Sequence, residues 1–244
     1  MVRTIPRHSL LIAAAIAIPV LVFSTGEFSP AEGQQPATVA LLDFRGSGVG
    51  RNAADFDALG AAIPHHLGYV LARNPNIRLV DRNRIQEIIR EQDLGAAGRL
   101  DSSAMVRIGR ILGAQYIVDG SFIIQDNGEM AISTTSTNME TSQVGNPVQV
   151  RGRVNRVLDV LDSLAASLNR GLRLPAAPAS AVRAPTGNVA NLDQNRLILL
   201  EGAALKAEDR GDVRAAVELW KQVATLSPAY EGAKMKLAKL DPPL

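Results

Sequence analysis

Ile108-Gly109-Arg110-Ile111-Leu112-Gly113-Ala114-Gln115-Tyr116-Ile117-Val118-Asp119-Gly120 sets the reading of the fold. Met105, Ile108, Ile111 and Leu112 return at helical spacing, so one face of a short helix is apolar. Gly113-Ala114 breaks that helix, and Tyr116 opens a run of β-forming residues. Helix, tight break and strand follow one another directly, the order expected of helices laid on a sheet.

The same alternation continues outward. Upstream, Asp101 is an N-cap candidate, and Ile85, Ile88 and Ile89 form one face of another short helix. Ile77 to Val80 reads as a strand after the Asn74-Pro75-Asn76 break. Phe56, Leu59, Ile63, Leu67 and Val70 mark a longer helix, which Pro64 either kinks or restarts. Thr38 to Phe44 is a buried strand, followed by a Gly46-Ser47-Gly48-Val49-Gly50 loop. Downstream, Tyr116–Gln125 and Met130–Met139 flank Asp126-Asn127-Gly128, a strong hairpin signal. A further strand is expected over Val144–Val150, and Val154, Val157, Leu158, Leu161, Leu164, Ala165 and Leu168 mark a closing helix. The order β-α-β-α-α-β-β-β-α predicts an α+β domain, a mixed sheet packed with helices, over residues 38–173.

The ends carry an address. Arg3 and Arg7 precede an apolar run from Leu10 to Phe23, and Ser29-Pro30-Ala31 fits a cleavage site. Residues 1–31 therefore read as a secretory signal peptide, with a polar leader over 32–37. A membrane span needs roughly 20 apolar residues, so the expectation is an exported periplasmic protein. An inner-membrane anchor over residues 10–23 is the alternative.

The sequence has no cysteine, which excludes disulfides, thiolate metal sites, a cysteine nucleophile and a cysteine-linked lipid. Without residues 1–31 it holds 24 basic and 23 acidic residues. That balance, with few aromatics, argues against a nucleic-acid partner and for at most peripheral membrane association.

Beyond the domain, Leu174–Ala190 is rich in proline, alanine and serine and reads as a linker. All five lysines lie from Lys206 onward, and three helices are expected over 192–208, 212–226 and 229–240. The C-terminal region, 191–244, is a second all-α unit.

Two resemblances follow from these residues. Val39-Ala40-Leu41-Leu42-Asp43-Phe44, Ile77-Arg78-Leu79-Val80-Asp81-Arg82, the Ile85–Ile89 helix and Ile108–Gly120 together resemble the curli-secretion-component (CsgG-type) domain family. The resemblance implies a non-enzymatic, self-associating or partner-binding element of the periplasm. Asn138-Met139-Glu140-Thr141-Ser142-Gln143 departs from it by lacking the usual glycine, and no stretch matches the inserted hairpins of pore-forming members. Residues 191–240 resemble a single tetratricopeptide repeat with a capping helix. Gly211, Ala216, Trp220 and Pro228 fall at its hallmark spacing, with Ala204 and Ala207 where helices touch. One repeat cannot bury a solenoid core, so the hairpin is expected to dock on its own domain, a second copy or a partner.

Sharper chemical readings are weaker. Gly46-x-Gly48-x-Gly50 followed by Asp81 suggests a dinucleotide site, but the glycine spacing and the distance to the acid both miss that fingerprint. His65-His66 point about 100° apart on a helix and do not chelate as an i,i+4 pair can; one is expected exposed and one half-buried. Asp55, Asp57, Asp159 and Asp162 read as solvated acids. Ser133-Thr134-Thr135-Ser136-Thr137 is polar on both faces, which suggests an edge strand. Thr134, Thr135 and Thr137 are then candidates for pairing with another chain.

The sequence thus points to a periplasmic, non-enzymatic adaptor or scaffold in cell-envelope or curli-like surface-fibre assembly and secretion. Envelope proteins are its partners, homo-oligomers are possible, and no catalytic residue, cofactor or metal is expected. A ring-forming subunit supporting an outer-membrane secretion machine is the alternative, and a nucleotide- or small-molecule-binding enzyme the third reading.

Overall fold

The computed structural model describes residues 35–48, 53–91, 102–172 and 194–242. The signal segment 1–31, Val49 and Gly50, the Asp101 cap and the linker 174–190 lie outside these residues. Strands β1 (Ala37–Leu41), β2 (Arg45–Gly48), β3 (Ile77–Leu79), β4 (Tyr116–Ile124), β5 (Glu129–Asn138) and β6 (Val148–Arg153) form one mixed sheet. Its order is β3-β1-β4-β5-β6, with β2 pairing β4 beyond the end of β1. β1 and β2 run parallel to β4, and β5 and β6 return antiparallel.

The two faces of the sheet are covered unequally. Val118, Phe122 and Ile124 of β4 join Val39, Leu41, Met130 and Ile132 in the main core. Helices α1 (Ala53–Leu71) and α4 (Val157–Gly171) close that side. On the other side, α2 (Arg82–Glu91) and α3 (Ser102–Leu112) cover Ala40, Leu42 and Ile117, with Ile85 at the centre of a smaller core. Leu41 and Leu42 face opposite ways because successive strand residues alternate.

The mixed sheet with packed helices agrees with the expected class, and three local details differ. Arg45–Gly48 is a strand rather than a loop, since Gly46 lies over Phe122, where a Cβ would come 2.3 Å from the ring. The last strand begins at Val148, after Pro147, while Val144 keeps only an isolated bridge to Thr137. Proline offers no amide to a ladder, which sets this boundary. Pro64 sits inside a helix that continues through it.

Helices α5 (Gln194–Asp209), α6 (Val213–Leu226) and α7 (Glu231–Leu240) follow. Gly211 takes φ 74° in the first turn between them, and Asp212 caps α6 by accepting from the Ala215 amide at 3.0 Å. The hairpin is not separate: the described residues from 35 to 242 gather into one compact unit, and the α5 residues Leu197, Ile198, Ala204 and Leu205 belong to the main core.

Candidate functional site: the seam between the sheet domain and the C-terminal hairpin

Helix α5 meets α1 at Gly202, where a Cβ would lie 2.0 Å from the Ala58 carbonyl oxygen. Only glycine permits so close an approach. The preceding residue, Glu201, is fully buried and its Oε1 sits 2.7 Å from Nδ1 of His65. The Tyr230 hydroxyl at the head of α7 donates to the same oxygen at 3.0 Å. The other oxygen stands 3.7 Å from Nδ1 of His66, too far for a hydrogen bond but close enough for electrostatic attraction. Burial alone pushes the Glu201 carboxyl up; the two histidines outweigh it and hold its pKa to about 2. Burial, reinforced by Glu201, raises the Tyr230 phenol well above its ordinary value. Tyr230 also packs against His66 and, edge-on, against Tyr69.

One histidine was expected exposed and the other half-buried. Instead His66 is wholly buried and the His65 side chain is 16% exposed. Glu201, their partner, is 136 residues from His65 in sequence, so no local pattern could announce it.

A second junction lies beside it. Arg82, at the start of α2, grips Asp43 at 2.9 and 3.2 Å and Asp209 of α5 at 2.7 and 2.9 Å. Lys206 adds a 3.0 Å bond to Asp43. Burial works against the Arg82 charge, but the two carboxylates prevail and raise its pKa. Three elements distant in sequence are thereby tied at one point.

The residues of the repeat-like pattern sit within the hairpin. Ala204, Ala207, Ala216 and Trp220 are fully buried, and Gly211 and Pro228 occupy the two turns. The Trp220 indole donates to Glu208 at 2.7 Å, Lys236 of α7 donates to the same carboxylate at 2.8 Å, and the ring faces His65 at 5.8 Å.

Where α1, β3 and α7 fail to meet, a groove of about 340 Å³ remains. Leu41 and Leu79 form its floor, Pro64, Gly68, Tyr69 and Ala72 one wall, and Met235 and Lys239 the other. Met235, which lines it, is 66% exposed. Of the polar side chains that line the groove, His65, Arg82 and Lys236 are bonded to Glu201, Asp43, Asp209 and Glu208, while Asp81 and Lys239 stand 3.6 Å apart on its exposed side. What the groove offers is apolar surface with a charged lip.

The serine- and threonine-rich strand is not an edge. β5 pairs β4 along Met130–Asn138 and β6 along Glu129–Thr134. Thr134 is buried facing the main core side, while Thr135 and Thr137 lie on the opposite face. β6 takes the edge position as far as Thr134, and beyond it the segment 143–145 bonds to Ser136 and Asn138. Among the described residues no group of three or more His, Cys, Asp and Glu is arranged to hold a metal ion. No helix among them is long and apolar enough to cross a membrane.

Residues 29–155 match the family described as "Curli production assembly/transport component CsgG". The chain belongs to that family. The match ends at the turn before α4, so this CsgG-family chain carries its α5–α7 hairpin outside the matched region. A comparison with curated proteins finds no match. Among solved structures, the chain is similar to the LpoB C-terminal domain from Salmonella enterica at 18% identity and TM-score 0.39, over 50% of this chain and 87% of that one. It is also similar to TolB from Acinetobacter baumannii (12%, TM-score 0.38, 57% of this chain and 28% of that one). A third is the PelC dodecamer from Paraburkholderia phytofirmans (13%, TM-score 0.32, 58% and 90%). With scores below 0.5, nothing of those proteins' partners is carried to this chain.

Proposed function

We propose that this CsgG-family chain is a periplasmic, non-enzymatic adaptor that holds protein partners during cell-envelope or surface-fibre assembly and secretion. The observation that supports this reading best is the groove. Its walls come from the family-type domain on one side and from α7 of the hairpin on the other, so fusing the hairpin creates an apolar recess that neither part forms alone. An apolar floor with a charged lip suits side chains of another protein. Three of its polar side chains, His65, Arg82 and Lys236, are held by buried or partly buried carboxylates, which favours holding over chemistry. In this reading residues 1–31 direct export, and the hairpin is a tetratricopeptide-like repeat given over to docking rather than to a solenoid.

A photo-crosslinking residue at Met235, with a second at Arg214 on the exposed side of α6, tests it in the native envelope. Adducts with a defined envelope protein from Met235 and none from Arg214 are expected. Adducts from Arg214 alone would overturn the groove as the binding surface. Light scattering on the purified chain separates adaptor from ring: a ring of fixed mass would replace the adaptor with a structural subunit.

A further inference from the structure

β6 is the outer strand on its side of the sheet, and its six residues make it longer than the strand at the opposite edge, β3, with three. Val148 and Val150 turn toward α4 and are packed on the main core. Gln149, Arg151 and Arg153 turn to the other face, in register with Ser133, Ala131 and Glu129. That face continues through Thr135, Asp119, Ser121 and Ile123, the last 53% exposed. α2 and α3 cover only its far end, around Ile117.

The edge is also basic. From Thr141 to Leu158 the sequence has no acid, and it has Arg151, Arg153 and Arg156. Arg156 is taken up by Asp159, and Arg153 donates to the Asn127 carbonyl at 3.0 Å. Arg151 is exposed and makes no ion pair among the described residues.

We propose that β6 accepts, as an added strand, an extended segment of a partner protein in which carboxylate and apolar residues alternate. The outer amides and carbonyls of β6 supply main-chain bonds, as in other strand additions. Alternation places the partner's carboxylates beside Arg151 and Arg153 on the open face. It places its apolar residues beside Val148, Val150 and the flank of α4. A second copy of β6 offers no carboxylate to these arginines, and in the register that pairs Arg151 with Arg151 or Arg153 it sets like charges against each other. The proposal rests on the chain being a protein-binding element, but on a surface other than the groove.

The test uses the whole chain and a fluorescent synthetic peptide of alternating glutamate and valine, followed by anisotropy. A lysine–valine peptide and a glutamate–valine peptide N-methylated at alternate amides serve as controls. Binding of the acidic peptide at least about tenfold tighter than the lysine peptide is expected, weakening with salt. N-methylation should abolish it, since added strands depend on main-chain bonds. The double variant Arg151→Glu, Arg153→Glu should reverse the preference, with Trp220 fluorescence reporting that it folds. Arg151→Gln, a milder change, should weaken acidic-peptide binding without reversal. Equal binding of both peptides, indifference to N-methylation, or unchanged binding by the variants would overturn the proposal. Failure of the acidic peptide to bind while Met235 crosslinks persist would remove the β6 site and leave the groove standing.

Discussion

The seam between α1 and α5 and the open face beside β6 both carry charged residues on a packed framework, and they use them in opposite ways. At the seam, fully buried Glu201 is bonded to His65 and Tyr230, and partly buried Arg82 is bonded to Asp43 and Asp209, across long sequence distances. On the open face, Gln149, Arg151 and Arg153 stand in solvent on a single short strand. A buried charge that loses its partner is costly, whereas an exposed one contributes little to stability. The seam should therefore be intolerant of change and the face tolerant of it, with its charges left over for recognition.

The largest effect expected is at the seam's aromatic anchor. Trp220→Ala should destabilise the chain by roughly 3–5 kcal/mol, the range for emptying a buried large side chain. Urea unfolding measures it, and a loss below about 1 kcal/mol would mean that Trp220 does not anchor the hairpin. Glu201→Ala leaves His65 and Tyr230 without their acceptor and should cost roughly 3 kcal/mol by the same measurement. Gly202→Ala forces α5 away from Ala58 and should cost about 1–3 kcal/mol. If Gly202→Ala were neutral, the helices would not be in the close contact described.

Acid sharpens the contrast. The Glu201 carboxyl has a folded pKa of about 2 against an ordinary value near 4.5. Its contribution is fully present above the ordinary value and is lost as pH falls from there toward 2. Wild type should therefore lose stability over that interval by more than Glu201→Gln does; parallel curves would contradict the buried-carboxylate assignment. The smallest effect belongs to the open face. Arg151→Glu should shift stability by no more than about 0.5 kcal/mol, as surface substitutions do.

How far these regions could be read from sequence follows from the same contrast. Local periodicity and turn chemistry show the hairpin at Asn127-Gly128 and the helix-to-strand break at Gly113-Ala114, because each depends on neighbours in the chain. The seam depends on Glu201 meeting His65 and on Arg82 meeting Asp209, which no spacing rule connects. The run of small residues Ala58, Gly60, Ala61 and Ala62 was the one available hint that another helix comes close to α1. Ser133–Thr137 misleads for a related reason. Ser133 and Thr135 lie on a face without a covering helix, Thr134 is buried on the core side, and sequence pattern alone does not separate such a strand from an edge.

Trp220 is the sole tryptophan of the chain, and it lies inside the seam, 5.8 Å from the His65 ring. Urea unfolding followed in parallel by Trp220 fluorescence and by backbone circular dichroism therefore reads the seam and the whole fold at once. A hairpin built into the sheet domain predicts coincident transitions. Loss of the Trp220 signal at clearly lower urea, with most of the dichroism retained, would contradict it and separate the hairpin from the domain.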